Sequence, residues 1–116
     1  MTFTPEQLRQ FAEAGGYKWY EDPTGADLNG FHWLHPNTVL YEDLPDFPND
    51  LAACFEVLEH LQVPYQLNRC HPDDVAQYGQ YELAIYTPFS ETRNGPTKQA
   101  AIIAAVLAAK EANDRH

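Results

Sequence analysis

The sequence is poor in cysteine and in positive charge. Its two cysteines, Cys54 and Cys70, stand in no CxxC motif, and seven Lys and Arg face seventeen Asp and Glu, which gives a formal net charge of −10. A surface this acidic repels phosphate backbones and anionic membranes, so we predict neither direct nucleic-acid binding nor membrane binding. The same charge suits a protein partner that presents a basic groove.

Long hydrophobic runs are also missing. The longest apolar stretch, residues 100–109, is about half of what a membrane span needs. No apolar run follows a basic start, so no signal peptide is visible, and we predict a cytoplasmic chain with reduced thiols. No catalytic motif or Gly-rich phosphate loop is present, which predicts a protein that is not an enzyme and carries no cofactor.

What the sequence does have is enough apolar material for one core. The chain has 116 residues, of which 44% are hydrophobic and 13% aromatic. Disordered chains lack this content, and the length is typical of one domain. We therefore predict a single globular domain over residues 1–116.

The first half predicts a helix, a hairpin and a second helix. Thr4, Pro5 and Gln7 form a helix start with a capping box, and Gly15-Gly16 ends that helix. Aromatic residues and turn signals predict a β-hairpin over residues 17–34, followed by an extended loop over residues 41–48. Asn49 or Asp50 caps the second helix, whose apolar face is Leu51, Cys54, Phe55, Leu58 and Leu61.

The second half predicts two strands and a closing helix. Residues 63–67 alternate around Pro64, which indicates a strand start or an edge, and Tyr81 to Tyr86 is a clear strand pattern. Residues 87–95 are predicted as a loop, and Pro96 opens an alanine-rich helix to about Ala112. The order is α-β-β-α-β-β-α, an α+β fold whose sheet should be antiparallel or mixed.

Three features of this pattern resemble the phage ABA-sandwich domain family. They are the aromatic, turn-rich segment 19–33, the proline turn Leu44-Pro45-Asp46-Phe47-Pro48 that feeds a capped helix, and the strand 81–88 followed by a loop and an Ala-rich helix entered near Thr97. The resemblance implies a three-layer α/β/α sandwich and a phage or bacterial setting. It implies no activity, and the long loop 87–96 departs from the family pattern.

The most suggestive candidate site is aromatic. Trp19, Tyr20 and Trp33 belong to a cluster that also contains Tyr17 and Phe31, and such residues are enriched in binding hot spots. Arg69 and Arg93 are the basic residues that could pair a ligand phosphate beside them. Packing in the core is the competing interpretation of the same aromatics.

Histidines and carboxylates form weaker candidates. His32, His35 and His71 could bind a metal only if the fold adds ligands such as Asp27. Cys70-His71 is a poor nucleophile–base pair, because adjacent residues on an extended segment point apart. The acidic residues Glu42, Asp43, Asp46 and Asp50 could hold a cation, although helix capping already employs the last of them.

These observations predict a non-enzymatic phage or prophage accessory protein that acts by binding a protein partner and so inhibits a host factor. The alternative is a protein that binds a small molecule or sequesters a nucleotide through the aromatic cluster, and a metal-dependent enzyme is the third hypothesis. A homodimer is compatible with each, either through the Ala-rich helix or through an edge strand near Pro64.

Overall fold

A computed structural model describes residues 2–21, 31–34, 40–41, 44–72, 79–86 and 90–114, and gives only the backbone of residues 19–21, 31–34 and 40–41. The fold is α+β, as predicted. The described part contains the helices α1 (Pro5–Ala14), α2 (Leu51–His60) and α3 (Lys98–Asp114), together with the strands β1 (Lys18–Glu21), β2 (Phe31–Leu34), β3 (Leu40–Tyr41), β4 (Tyr65–Arg69), β5 (Tyr81–Ile85) and β6 (Glu91–Gly95).

Helix α1 begins and ends as its sequence predicts. The backbone N–H of Gln7 donates to Thr4 Oγ1 at 3.1 Å, and the N–H of Thr4 donates to Gln7 Oε1 at 2.8 Å. This reciprocal pair satisfies two N–H groups that a helix start leaves without partners. Gly16 follows the helix with φ +88°, a conformation that is easy only for glycine.

The strands form two antiparallel sheets rather than the single sheet that was expected. β1, β2 and β3 form one sheet in that order, and the predicted hairpin is confirmed by a register that pairs Trp19 with Trp33 and Tyr20 with His32. The second sheet has the order β4-β5-β6. The predicted strand at 63–67 lies two residues later, at Tyr65–Arg69.

The prediction of a loop from residue 87 to residue 95 is wrong for its second half. Glu91–Gly95 is strand β6, which pairs with β5 along its whole length. Its polar side chains are compatible with an edge strand, because only Gly95 is fully buried. A Cβ at Gly95 would lie 2.7 Å from the backbone nitrogen of Ala101, so glycine allows α3 to turn back directly onto β6.

Helices α2 and α3 begin at side-chain caps. Asp50 accepts the N–H of Ala53 at 3.0 Å, which confirms it as the cap of α2. The N–H of Ala100 donates to Thr97 Oγ1 at 3.0 Å, so α3 begins at Lys98 and not at Pro96. Helix α3 lies at the centre of the fold, where it contacts β5, β6, α1 and α2.

The core fills the space around α3. Phe11 and Phe47 meet edge to face, with ring centroids 4.9 Å apart, and Tyr17 contacts Phe47 in the same way at 6.0 Å. The buried side chains among the described residues come mainly from α1, α2, β5 and α3; the largest are Phe11, Phe47, Leu58, Leu83, Ile85, Ile102 and Ile103.

Candidate functional site

An apolar cavity of about 280 Å³ opens where the three helices end. Its walls are the last residue of α1, the residue that follows α2, the final turns of α3, and the end of β5. The lining residues are Ala14, Leu61, Val63, Ile85, Val106, Ala109, Lys110 and Asn113. Ile85 and Val106 are fully buried and form its floor, whereas Lys110 and Asn113 provide its polar atoms.

Small residues create this cavity. Gly15 ends α1 against α2 so closely that an added Cβ would lie 2.6 Å from Val57 Cγ2. The chain can therefore leave α1 beside α2 without a side chain between them. Ala14 and Ala109 then line the cavity with methyl groups, where longer side chains would fill it.

Anionic groups at the helix ends and one cation, Lys110, lie around the cavity. The carboxyl end of a helix carries about half a negative charge, and here three such ends meet. Helices α1 and α3 have no basic residue in their last turns, although α2 has His60 there. Each helix also has an acidic residue near its end: Glu13, Glu59, Glu111 and Asp114.

A second, more polar cleft of about 300 Å³ adjoins the first. It lies between α1 and α3 and is lined by Gln7, Gln10, Leu107, Lys110, Glu111 and Asp114. Lys110 lines both spaces and is half-buried between them. The two clefts therefore present an apolar depression next to a surface of amides and carboxylates.

The predicted aromatic–arginine site is divided between the two sheets. Trp19, Tyr20 and Trp33 lie on β1 and β2, where the first and the last are directly opposite. Arg69 and Arg93 lie on β4 and β6, the two edges of the other sheet. Tyr17 is the residue of the cluster whose side chain the structure describes, and it is buried against Phe47.

The two arginines differ in their surroundings. Arg93 pairs with Glu91 at 3.1 Å and donates to the carbonyl of Thr92 at 2.8 Å. Arg69 is exposed and forms no ion pair within the described residues. Arg69 is therefore the predicted binding residue that keeps its charge available.

The two cysteines lie in different surroundings. Cys54 is buried as predicted and donates to the carbonyl of Phe47 at 3.1 Å; burial, helped by the charge of Asp50, raises its pKa to about 12. Cys70 is half-buried and accepts from Asn94 Nδ2 at 3.4 Å. Such a high pKa makes Cys54 inert as a nucleophile.

The metal candidates remain dispersed in the part of the chain that the structure covers. Asp46 accepts from Asn49 Nδ2 at 2.8 Å, Asp50 caps α2, and His71 is exposed. Among the described residues no three His, Cys, Asp or Glu side chains come together as a metal site. The candidate ligands Asp27, His35, Glu42 and Asp43 lie outside the described residues, as does the side chain of His32. No described helix has the length and apolarity to cross a membrane.

The cavity could not be predicted from the sequence, because its lining comes from separate parts of the chain. Ala14, Leu61, Ile85 and Val106 each look like ordinary core positions in their own periodic patterns. The only local signal was the pair Gly15-Gly16, which indicated a helix end but not what it approaches. A site of this kind becomes visible only when the helix ends are placed in space.

Comparison with known proteins shows that a protein of known structure shares the fold of this chain. No family model and no curated protein sequence matches the chain. A phage protein from Bacillus cereus ATCC 14579, known from a 2.0 Å crystal structure, matches with a TM-score of 0.61 and 14% sequence identity over 93% of both chains. At this identity the likeness shows a shared fold alone.

Proposed function

We propose that this chain is a non-enzymatic accessory protein of phage or prophage origin that acts by binding a protein partner. The apolar cavity at the three helix ends carries the proposal, because it offers a partner side chain a place to dock at the surface. The fold shared with a phage protein supports the origin. The proposal includes the three-layer α/β/α arrangement that the sequence resemblance implies.

The chemistry of the rim selects the partner. Helix carbonyls and the carboxylates of Glu59 and Asp114 favour positive charge near Lys110, and the cavity favours an apolar side chain. The matching partner segment carries Lys or Arg around a Leu, Met or aromatic anchor. A nucleic-acid-binding protein of the host presents such segments, so occupying its basic groove would inhibit it.

A capture experiment with matched variants tests the proposal. Ala109→Phe fills the cavity, whereas Ala52→Phe adds the same side chain to an exposed position on α2. We expect a host-lysate protein retained by the wild type and by A52F to be lost with A109F. A partner retained equally by both variants would show that the cavity is not the docking site.

Charge reversal tests the sign of the partner's charge. Asp114→Lys reverses a charge in the polar cleft beside the cavity. Glu6→Lys changes the net charge of the protein by the same amount, but at the first turn of α1. We expect D114K to weaken binding at least about tenfold more than E6K, and added salt to weaken wild-type binding. Equal effects of the two variants, or binding that salt does not change, would argue against a basic partner.

A small-molecule binder is the second candidate, and the size of the cavity favours it. Ligand sites measure about 300–1,000 Å³, so this cavity is at the lower end and suits a small apolar compound. A thermal-shift panel of nucleotides and small apolar compounds separates the candidates. A ligand at a hundred times its dissociation constant stabilises by about 2.7 kcal/mol, and a shift that A109F abolishes would favour this candidate over protein binding.

A further inference from the structure

Strand β4 is an edge strand whose outer side meets no other described strand. It pairs with β5 through the register Tyr65↔Ile85, Leu67↔Leu83 and Arg69↔Tyr81. Four of its five residues are exposed and the middle one, Leu67, is half-buried against the core. An edge of this kind offers unpaired N–H and C=O groups to another strand.

The hydrogen bonds at the two ends of β4 show which groups face outward. The N–H of Cys70 donates to the carbonyl of Gln80 at 2.7 Å, and the N–H of Tyr86 donates to the carbonyl of Pro64 at 3.0 Å. In an antiparallel ladder the pairs bonded in this way alternate with pairs that are not. The even-numbered residues of β4 therefore bond to β5, and the odd-numbered Tyr65, Leu67 and Arg69 direct their N–H and C=O groups away from it.

We propose that β4 pairs with β4 of a second copy of this chain, in an antiparallel register centred on Leu67. A two-fold axis at Leu67 places it opposite its own copy and places Tyr65 opposite Arg69 of the copy. All the outward-facing groups then meet as hydrogen-bonded pairs. The β4-β5-β6 sheets of the two copies then form one continuous sheet, with β4 and its copy at the centre.

The side chains on β4 suit this register. The two Leu67 side chains extend the apolar face that Leu83 and Ile85 form, and Arg69 meets the ring of Tyr65 of the copy, a cation–π pair. Gln66 faces Asn68 of the copy on the opposite side of the sheet, where the amides can pair. Each half of β4 is thus complementary to the other half.

Charge and helix packing also favour this edge over other surfaces for self-association. The chain has a net charge of −10, yet β4 contains no carboxylate and has Arg69 as its charged residue. The Ala-rich helix α3 was the other predicted dimer surface. Its residues Ala100, Ala101 and Ala105 are buried within the domain, so only part of the helix is left for that contact.

Proline substitutions at the two edges of this sheet test the proposal. Arg69→Pro removes an outward-facing N–H on β4, and Thr92→Pro removes an outward-facing N–H on β6, because the odd-numbered residues of β6 are the ones that bond to β5. Light scattering coupled to size-exclusion chromatography should give the wild type and T92P a mass twice the 13.2 kDa of one chain. R69P should elute at the mass of one chain, with an unchanged circular dichroism spectrum.

Amide exchange provides a readout that does not depend on substitution. We expect the amides of Tyr65, Leu67 and Arg69 to exchange at least tenfold more slowly at high protein concentration than at low concentration. A wild-type chain that stays monomeric throughout a concentration series would overturn the proposal. So would a dimer whose mass survives R69P with these three amides unprotected, because it would form through another surface.

Discussion

At the scale of single residues, Cys54 shows how burial decides what a thiol can do. Its side chain is fully buried and donates to the carbonyl of Phe47. Loss of hydration, followed by the nearby charge of Asp50, raises its pKa from 9.0 to about 12. The neutral thiol is therefore part of the native core, and stability depends on keeping it protonated.

Stability should fall as the pH rises from 9.0 to about 12. In that interval the unfolded chain releases the Cys54 proton while the folded chain keeps it, so the stabilisation is complete below 9.0 and is lost upward, by on the order of 4 kcal/mol in all. Urea denaturation at a series of pH values measures this loss of stability. The free energy of unfolding of Cys54→Ser, which keeps the hydrogen bond, should fall less than that of the wild type. The free energy of unfolding of Cys70→Ser should follow that of the wild type. Parallel curves for all three proteins would contradict the assignment.

At the scale of elements, the approach of α1 to α2 depends on one missing side chain. The backbone of Gly15 has φ −82°, which any residue adopts, so the requirement for glycine is steric. The nearest atoms to an added Cβ all belong to Val57, at 2.6–3.0 Å. The spacing of the two helices, and with it one wall of the cavity, follows from this contact.

A double-mutant cycle should detect this contact. Gly15→Ala alone should destabilise the protein by about 1–2 kcal/mol, since overpacking outweighs the small gain from restricting the unfolded chain. In a Val57→Ala background the same change should be neutral or stabilising, because the three clashing atoms shift or disappear. In a Leu58→Ala background it should remain destabilising. Equal effects of G15A in all backgrounds, measured by urea unfolding, would exclude the contact.

Elements with a local signal were predicted well from the sequence, and elements without one were not. The caps at Thr4 and Asp50 and the aromatic hairpin are short-range features, and all are present. Strand β6 lacks the alternating apolar pattern, because at the edge of the sheet only Gly95 of its five residues is fully buried. Its identity as a strand depends on pairing with β5, which no local pattern encodes.

At the scale of the whole molecule, the candidate site also depends on contacts that no local sequence pattern encodes. Apolar residues of α1, β5, α3 and the segment that follows α2 line the cavity, so its existence depends on the packing of these parts of the chain around α3. The predicted site relied on residues close in sequence or alike in chemistry, and the fold placed Trp19 and Trp33 on one sheet but Arg69 and Arg93 on another. Packing between residues far apart in the sequence therefore determines both where the cavity forms and why the predicted site residues lie on different sheets.

The net charge of −10 should itself limit stability at low salt. Like charges repel in the folded state, and the screening length falls from about 30 Å at 0.01 M salt to about 10 Å at 0.1 M. We therefore expect the denaturation temperature to rise over this range of sodium chloride. A denaturation temperature that falls or stays constant would show that self-repulsion does not matter here.

Two neutralising variants separate the net charge from the local fields of the helices. Asp114→Asn and Glu6→Gln each remove one negative charge, but Asp114 lies at the carboxyl end of α3 and Glu6 in the first turn of α1. If helix ends dominate, D114N should stabilise and E6Q should destabilise, each by about 0.3–1 kcal/mol at low salt. If net charge dominates, both should stabilise by similar amounts. Because the helix-end field acts at close range, we expect opposite signs that added salt reduces. Two stabilising variants would mean that net charge outweighs the fields at the ends of α1 and α3.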